Sequence, residues 1–149
     1  MLVSWLTANF GLAAPAERPQ VELVPRTRLA ALRYRGLLSD QVEHSRRGDG
    51  NAGPLGHLQA VQAAYDDNKR TIYLPEDWQG DTPVEVSVLV HELVHHLQNG
   101  AGLRFQCPQE RERTAFDAQI RWLAMFGKTL EEELGIDAFD TLIRTTCFN

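Results

Sequence analysis

Residues Thr82-Pro83-Val84-Glu85-Val86-Ser87-Val88-Leu89-Val90-His91-Glu92-Leu93-Val94-His95-His96-Leu97-Gln98-Asn99-Gly100 decide how the chain is read. Thr82 can cap a helix, Pro83 suits its first position, where no backbone donor is needed, and Glu85 completes a capping box. The expected helix runs through Gln98, with Asn99-Gly100 ending it. Val84, Val88, Leu89, Val90, Leu93, Val94 and Leu97 make it apolar on nearly every side, so it belongs at the centre of the fold.

Two histidines and a carboxylate are odd guests on such a helix, because buried charge is costly unless paired or metal-bound. His91 and His95 stand four residues apart, hence one above the other on the same face, where both imidazoles can reach one metal ion. Glu92 projects beside that ion. With zinc in place and one position open to water, whose pKa then falls to about 7, Glu92 can take a proton from the water and pass it to a leaving amine. The plainer alternative makes His91 and His95 core histidines bonded to carbonyls, with Glu92 on the surface between them. His96 lies about 100° further round the helix and should not reach the same ion. It either overlooks the cleft or packs in the core. His44 and His57 flank a glycine-rich loop and either approach the site or are solvated.

Upstream, Ala63-Ala64-Tyr65 and Thr71-Ile72-Tyr73-Leu74 read as a β-hairpin. Its connection, Asp66 to Arg70, includes Asp and Asn residues that tolerate a left-handed backbone. Val21 to Val24 alternates like a strand. Thr27 looks like the cap of a helix from Arg28 to Tyr34, with Leu29, Leu32 and Ala30 inward. Residues 45–56 are a loop by composition. Downstream, a helix follows Pro108 and reaches about Phe126, where Gly127 stops it. Glu112, Ala115, Phe116 and Gln119 share the face that should meet the central helix. Trp122, Leu123 and Phe126 look like core, and Trp78 either covers the core or lines a pocket. Thr129-Leu130-Glu131-Glu132 repeats the capping-box pattern, and Asp137 or Asp140 starts a last short helix. Strands first and helices later indicate an α+β fold, with residues 1–149 as one domain.

Composition narrows the partners. The chain has 149 residues, 43% hydrophobic and 23% charged, with a net charge of −5. Its basic residues form no stripe, which argues against nucleic acid. No apolar run approaches the roughly 20 residues of a membrane span. Met1 to Leu6, followed by Ala14-Pro15-Ala16, has the outline of a secretory leader. It lacks a basic start, and Thr7, Ala8 and Asn9 interrupt it. Residues 2–10 are therefore expected to form a short helix of the mature fold, with Gly11 just past its end. Cys107 and Cys147 form no C-x-x-C pair. They are either one disulfide pinning the C-terminus, which would put the protein outside the cytoplasm, or two buried thiols.

Val90-His91-Glu92-Leu93-Val94-His95-His96-Leu97-Gln98 resembles the active-site helix of the zincin metallopeptidases. Thr71 to Leu74 resembles the edge strand that binds extended substrate in that superfamily. No metzincin signature follows, since Ala101 stands six residues beyond His95. The resemblance is then to small gluzincins, including an uncharacterised bacterial family of such domains. It implies a third ligand from the next helix, Glu112, in an E-x-x-A arrangement whose alanine lets the helices pack closely. The alternative for Glu112 is a solvated charge between Arg111 and Arg113. Larger gluzincins carry an aspartate four residues after this glutamate, but Phe116 stands there, so the histidines must be oriented differently.

The expectation is a zincin-like α+β domain holding one zinc on His91, His95 and Glu112. Glu92 would be the general base for hydrolysis of a peptide or protein substrate in a shallow groove. Tyr65, Tyr73, Arg111, Arg121 and His96 are all possible oxyanion donors. The rival is a zinc-stapled binding or regulatory domain without significant turnover. A hydrolase acting on something other than a peptide would share the same site.

Overall fold

The computed structural model describes residues 1–32 and 63–148. Their architecture is α+β: a three-stranded sheet and several helices, with the sequence's central helix at the middle of the core. The loop expected at 45–56, His44, His57 and the end of the helix expected to reach Tyr34 lie outside the described residues.

Helix α1 (Leu2–Phe10) ends at Gly11, whose φ of 67° needs a residue without a side chain and whose N–H closes onto Thr7 O. Leu6 is fully buried, and Trp5 meets Trp122 edge-on at 5.4 Å between ring centroids. This helix is therefore part of the core.

The sheet contains β1 (Gln20–Val24), β2 (Ala64–Asp66) and β3 (Thr71–Pro75), in the order β1-β3-β2. The hairpin is present, with β2 antiparallel to β3. Strand β1 pairs with β3 in parallel, so β3 is central and not the edge strand that the zincin resemblance implied. The cause is legible in its residues. Ile72 and Leu74 enter the main core, whereas Tyr73 packs on the opposite face against Val24, Leu29 and Ala64. A strand buried on both faces has a continuous apolar run, as an interior strand does. In the connecting turn, the Asp66 carboxylate accepts from the Asn68 and Lys69 amides. The left-handed residue is Arg70, with φ 50°, and none of the Asp or Asn residues expected to adopt it.

After β1 the chain is helical at 26–32, starting before Thr27, with Pro25 O accepting from the Arg28 and Leu29 amides. Pro25 supplies the fixed φ that opens the turn, and Thr27 is inside the helix instead of capping it. Leu29 is fully buried, while Ala30 and Leu32 are partly buried.

Helix α2 (Pro83–Gly100) is the central helix, and it continues two residues past Gln98. The extension is held by Asn99, whose side-chain amide donates to Asp67 O and Tyr65 Oη across the hairpin. Thr82 caps it by accepting from the Glu85 amide, and the Glu85 carboxylate accepts from the Gln79 amide. Trp78 covers the start of α2 and donates to Glu85 O.

Helix α3 (Pro108–Ala124) packs along α2 through Ala115, Phe116, Ala118, Gln119 and Leu123, all buried. It stops just before Gly127, where φ is 70°. Phe126 is about half exposed, against its expected place in the core. Helix α4 (Leu130–Leu134) is capped by Thr129, and α5 (Ala138–Thr145) by a reciprocal Asp137–Asp140 capping box. A Cys107–Cys147 disulfide ties the residue just before α3 to the chain beyond α5. Among the described residues, no helix is long and apolar enough to cross a membrane.

Candidate metal centre

The centre is assembled by two helices. Position 91 and position 95 share one face of α2, and α3 runs along that face because its small residue Ala115, fully buried, permits close approach. Glu112 lies one turn before Ala115 and is carried to the histidines. Its Oε2 is 2.8 Å from His91 Nε2 and 3.2 Å from His95 Nε2. One donor atom from each of the three residues falls within 4.8 Å of the others, so the cluster could hold a metal ion. His91, Glu92 and His95 are 5%, 3% and 3% exposed, and the Glu112 side chain retains 21%. Glu112 is thus the side of the cluster nearest solvent. The Phe116 ring closes the other side, edge-on to His91 at 4.7 Å.

The histidines are oriented by carboxamides. His91 Nδ1 is 3.0 Å from Gln119 Oε1, and His95 Nδ1 is 3.0 Å from Gln98 Oε1. An amide oxygen only accepts, so each Nδ1 carries its proton and donates. Each Nε2 of a neutral ring then presents a lone pair, and both lone pairs face the Glu112 oxygen. Three acceptors cannot converge unless a cation, either a proton or a metal, lies among them. The donor set of two imidazoles and one carboxylate suits a divalent ion.

Without metal, a proton can take that place. Burial works to lower the His95 pKa, but the charge and hydrogen bond of Glu112, together with the charge of Glu92, raise it. Burial pushes Glu112 up, yet the His95 and His91 charges and hydrogen bonds hold its carboxyl well below the usual range.

Several expected participants have other duties. His96 is 2% exposed and bridges Tyr65 Oη and Glu17 O, each at 2.9 Å, as a core strut. Tyr65 also accepts from Asn99, and burial raises its pKa. Tyr73 lies on the far face of the sheet, and Arg121 stacks over the Phe10 ring at 5.8 Å. Arg111 grips Asp67 of the hairpin turn through two bonds of 2.8 and 2.9 Å. Burial works to lower its pKa, and Asp67, with Glu112 and Glu92 nearby, raises it. Of the five, Arg111 is the one whose charge is felt at both Glu112 and Glu92. The sequence alone does not pair Gln98 and Gln119 with the histidines. Their signal was a polar residue inside an apolar stripe, three positions after His95 and seven after Glu112.

The fold and the centre define an α+β protein with a two-histidine, one-glutamate cluster able to hold a metal ion. The chain belongs to the DUF6647 family, a domain of unknown function, whose family model matches residues 1–147. No curated protein and no solved structure matches it.

Proposed function

We propose that this protein is a zinc-dependent peptidase of zincin-like fold, with His91, His95 and Glu112 as zinc ligands and Glu92 as general base. The observation that carries the reading is the convergence of two Nε2 lone pairs and a carboxylate oxygen on one point. Zinc suits two nitrogens and one oxygen with a position left open, and when bound it supplies the Lewis acidity that such hydrolysis needs at neutral pH. Glu92 is buried next to the ligand His91 on α2, and its charge acts on His95. It takes one proton from the water that adds to the peptide carbonyl and returns it to the departing amine nitrogen, leaving an acid and an amine. Arg111 holds positive charge beside both carboxylates. The Cys107–Cys147 bridge suits an oxidising compartment, so the reading puts the protein outside the cytoplasm.

The low exposure of His91, Glu92 and His95 favours a second reading, in which the metal staples α2 to α3 in a binding or regulatory domain. Two measurements separate these readings. Elemental analysis of protein purified without added metal should give about one zinc per chain, lost in His95→Ala and Glu112→Ala. Glu92→Gln should then keep its zinc and lose cleavage of mixed peptides. Zinc without cleavage in the wild type leaves the staple, and no zinc even when supplied removes both.

A further inference from the structure

We infer that Gln98 and Gln119 are positioning residues of the metal centre, each holding one ligand histidine so that Nε2 is its free donor atom. The inference rests on the metal reading above. Both carboxamides are nearly inaccessible, 2% and 4% exposed, where an amide is costly unless its hydrogen bonds are made.

Neither amide can be turned over without loss. Gln98 Nε2 donates to Arg111 O at 3.0 Å, and a carbonyl only accepts, so Oε1 must face His95. Gln119 Nε2 donates to Ser87 Oγ at 3.2 Å. Ser87 gives its own proton to Val84 O at 2.7 Å, so turning this amide over would cost that bond, and Oε1 faces His91. Each ligand therefore has a neutral outer partner whose orientation is fixed by a third group. The centre gains oriented imidazoles without two further negative charges beside Glu92 and Glu112.

The two positions differ in the group behind them. The hydroxyl of Ser87 can rotate and donate, whereas the carbonyl of Arg111 cannot. A carboxylate at position 119 could accept from His91 with one oxygen and from Ser87 with the other. At position 98 its second oxygen would face Arg111 O, acceptor against acceptor.

Zinc affinity of the full chain, measured by competition with a chromophoric chelator, tests this for the wild type, Gln98→Leu, Gln119→Leu, Gln98→Glu and Gln119→Glu. Loss of an outer-shell partner weakens metal binding roughly ten- to hundredfold, the result expected for both leucine variants and for Gln98→Glu. Gln119→Glu should bind within about threefold of the wild type, or more tightly, because a carboxylate raises ligand basicity. Leucine is similar in size, so a packing role alone would lower thermal stability and leave affinity unchanged. Unchanged affinity in both leucine variants overturns the inference. A wild type that binds no zinc overturns the metal reading itself, which is a separate result. Should a variant fail to fold, nitrogen-15 spectra of the zinc-loaded wild type decide. Nδ1 protons shielded from exchange are expected on His91 and His95, and zinc on Nδ1 or unshielded protons would refute it.

Discussion

Glu112 Oε2 sits 2.8 Å from His91 Nε2, although the ring's own proton is already given to Gln119 from Nδ1. The contact brings two acceptors together unless a cation occupies the space, so the cluster is stable only when protonated or metal-bound. A ligand that binds only the folded state stabilises it by about 2.7 kcal/mol at a hundred times its Kd. For a chain of this length that is a rise in Tm of roughly 5–10 °C. Zinc should produce that rise in thermal melts, a chelator should reverse it, and His91→Ala should abolish it. A wild-type Tm indifferent to zinc would remove the metal from the account.

The pH dependence of the metal-free protein follows from the same cluster. Glu112 has its pKa depressed in the fold, so its contribution is complete above its ordinary value of 4.5 and is lost as pH falls through the folded value. His95 has its pKa raised, so its contribution is complete below its ordinary value of 6.5 and is lost as pH rises through the folded value. Both are present between about 4.5 and 6.5, where the metal-free Tm should peak. Zinc competes with the proton, so zinc affinity should climb as pH rises through the folded His95 value. A Glu112→Gln variant should lose the acidic limb of the Tm profile, and retention of that limb would assign it to other carboxylates.

The central helix was legible because its signals are local: Thr82 and Pro83 at its start, an apolar surface, and His91 and His95 at a spacing only a helix brings together. Glu112 came from the resemblance to gluzincins, and the face it shares with Ala115, Phe116 and Gln119 is the one that α3 turns toward α2. Sheet order was not legible. Residues Thr71 to Leu74 fit an edge or an interior strand in isolation, and pairing with Gln20 to Val24 depends on a contact across some fifty residues. The roles of Gln98 and Gln119 were hidden for the same reason. A glutamine shows its hydrogen-bonding partner only when the second helix, or the backbone of Arg111, is in place. Phe126 departs from its expected place in the core because it falls past the last turn of α3, where the helical stripe no longer controls direction.

The Cys107–Cys147 bridge closes a loop of 40 residues that contains α3, α4 and α5. On the chain-entropy model, a loop of that size stabilises the fold by about 4 kcal/mol, roughly 8–16 °C in Tm for a chain of this length. Melts with and without reductant should differ by about this much, and a double Cys→Ala variant should melt like the reduced protein. Equal Tm values would mean that the C-terminal helix is held by packing alone.

Stability and site geometry should separate at two buried apolar positions. Leu6 is fully buried on α1, a helix that supplies no ligand, and Leu6→Ala leaves a cavity that costs roughly 2–5 kcal/mol. Ala115 is also fully buried but stands one turn from Glu112 on the face that meets α2. Ala115→Leu overpacks that contact at a cost of roughly 1–3 kcal/mol, and the only relief is to move α3, with Glu112, away from the histidines. Urea unfolding should therefore rank Leu6→Ala as equal or worse, while chelator competition ranks the two in reverse. Leu6→Ala keeps zinc affinity near the wild type, and Ala115→Leu loses it by at least roughly tenfold, as displaced ligands do. If affinity instead falls in proportion to stability in both variants, metal binding follows the folded fraction and close helix packing has no separate part in building the site.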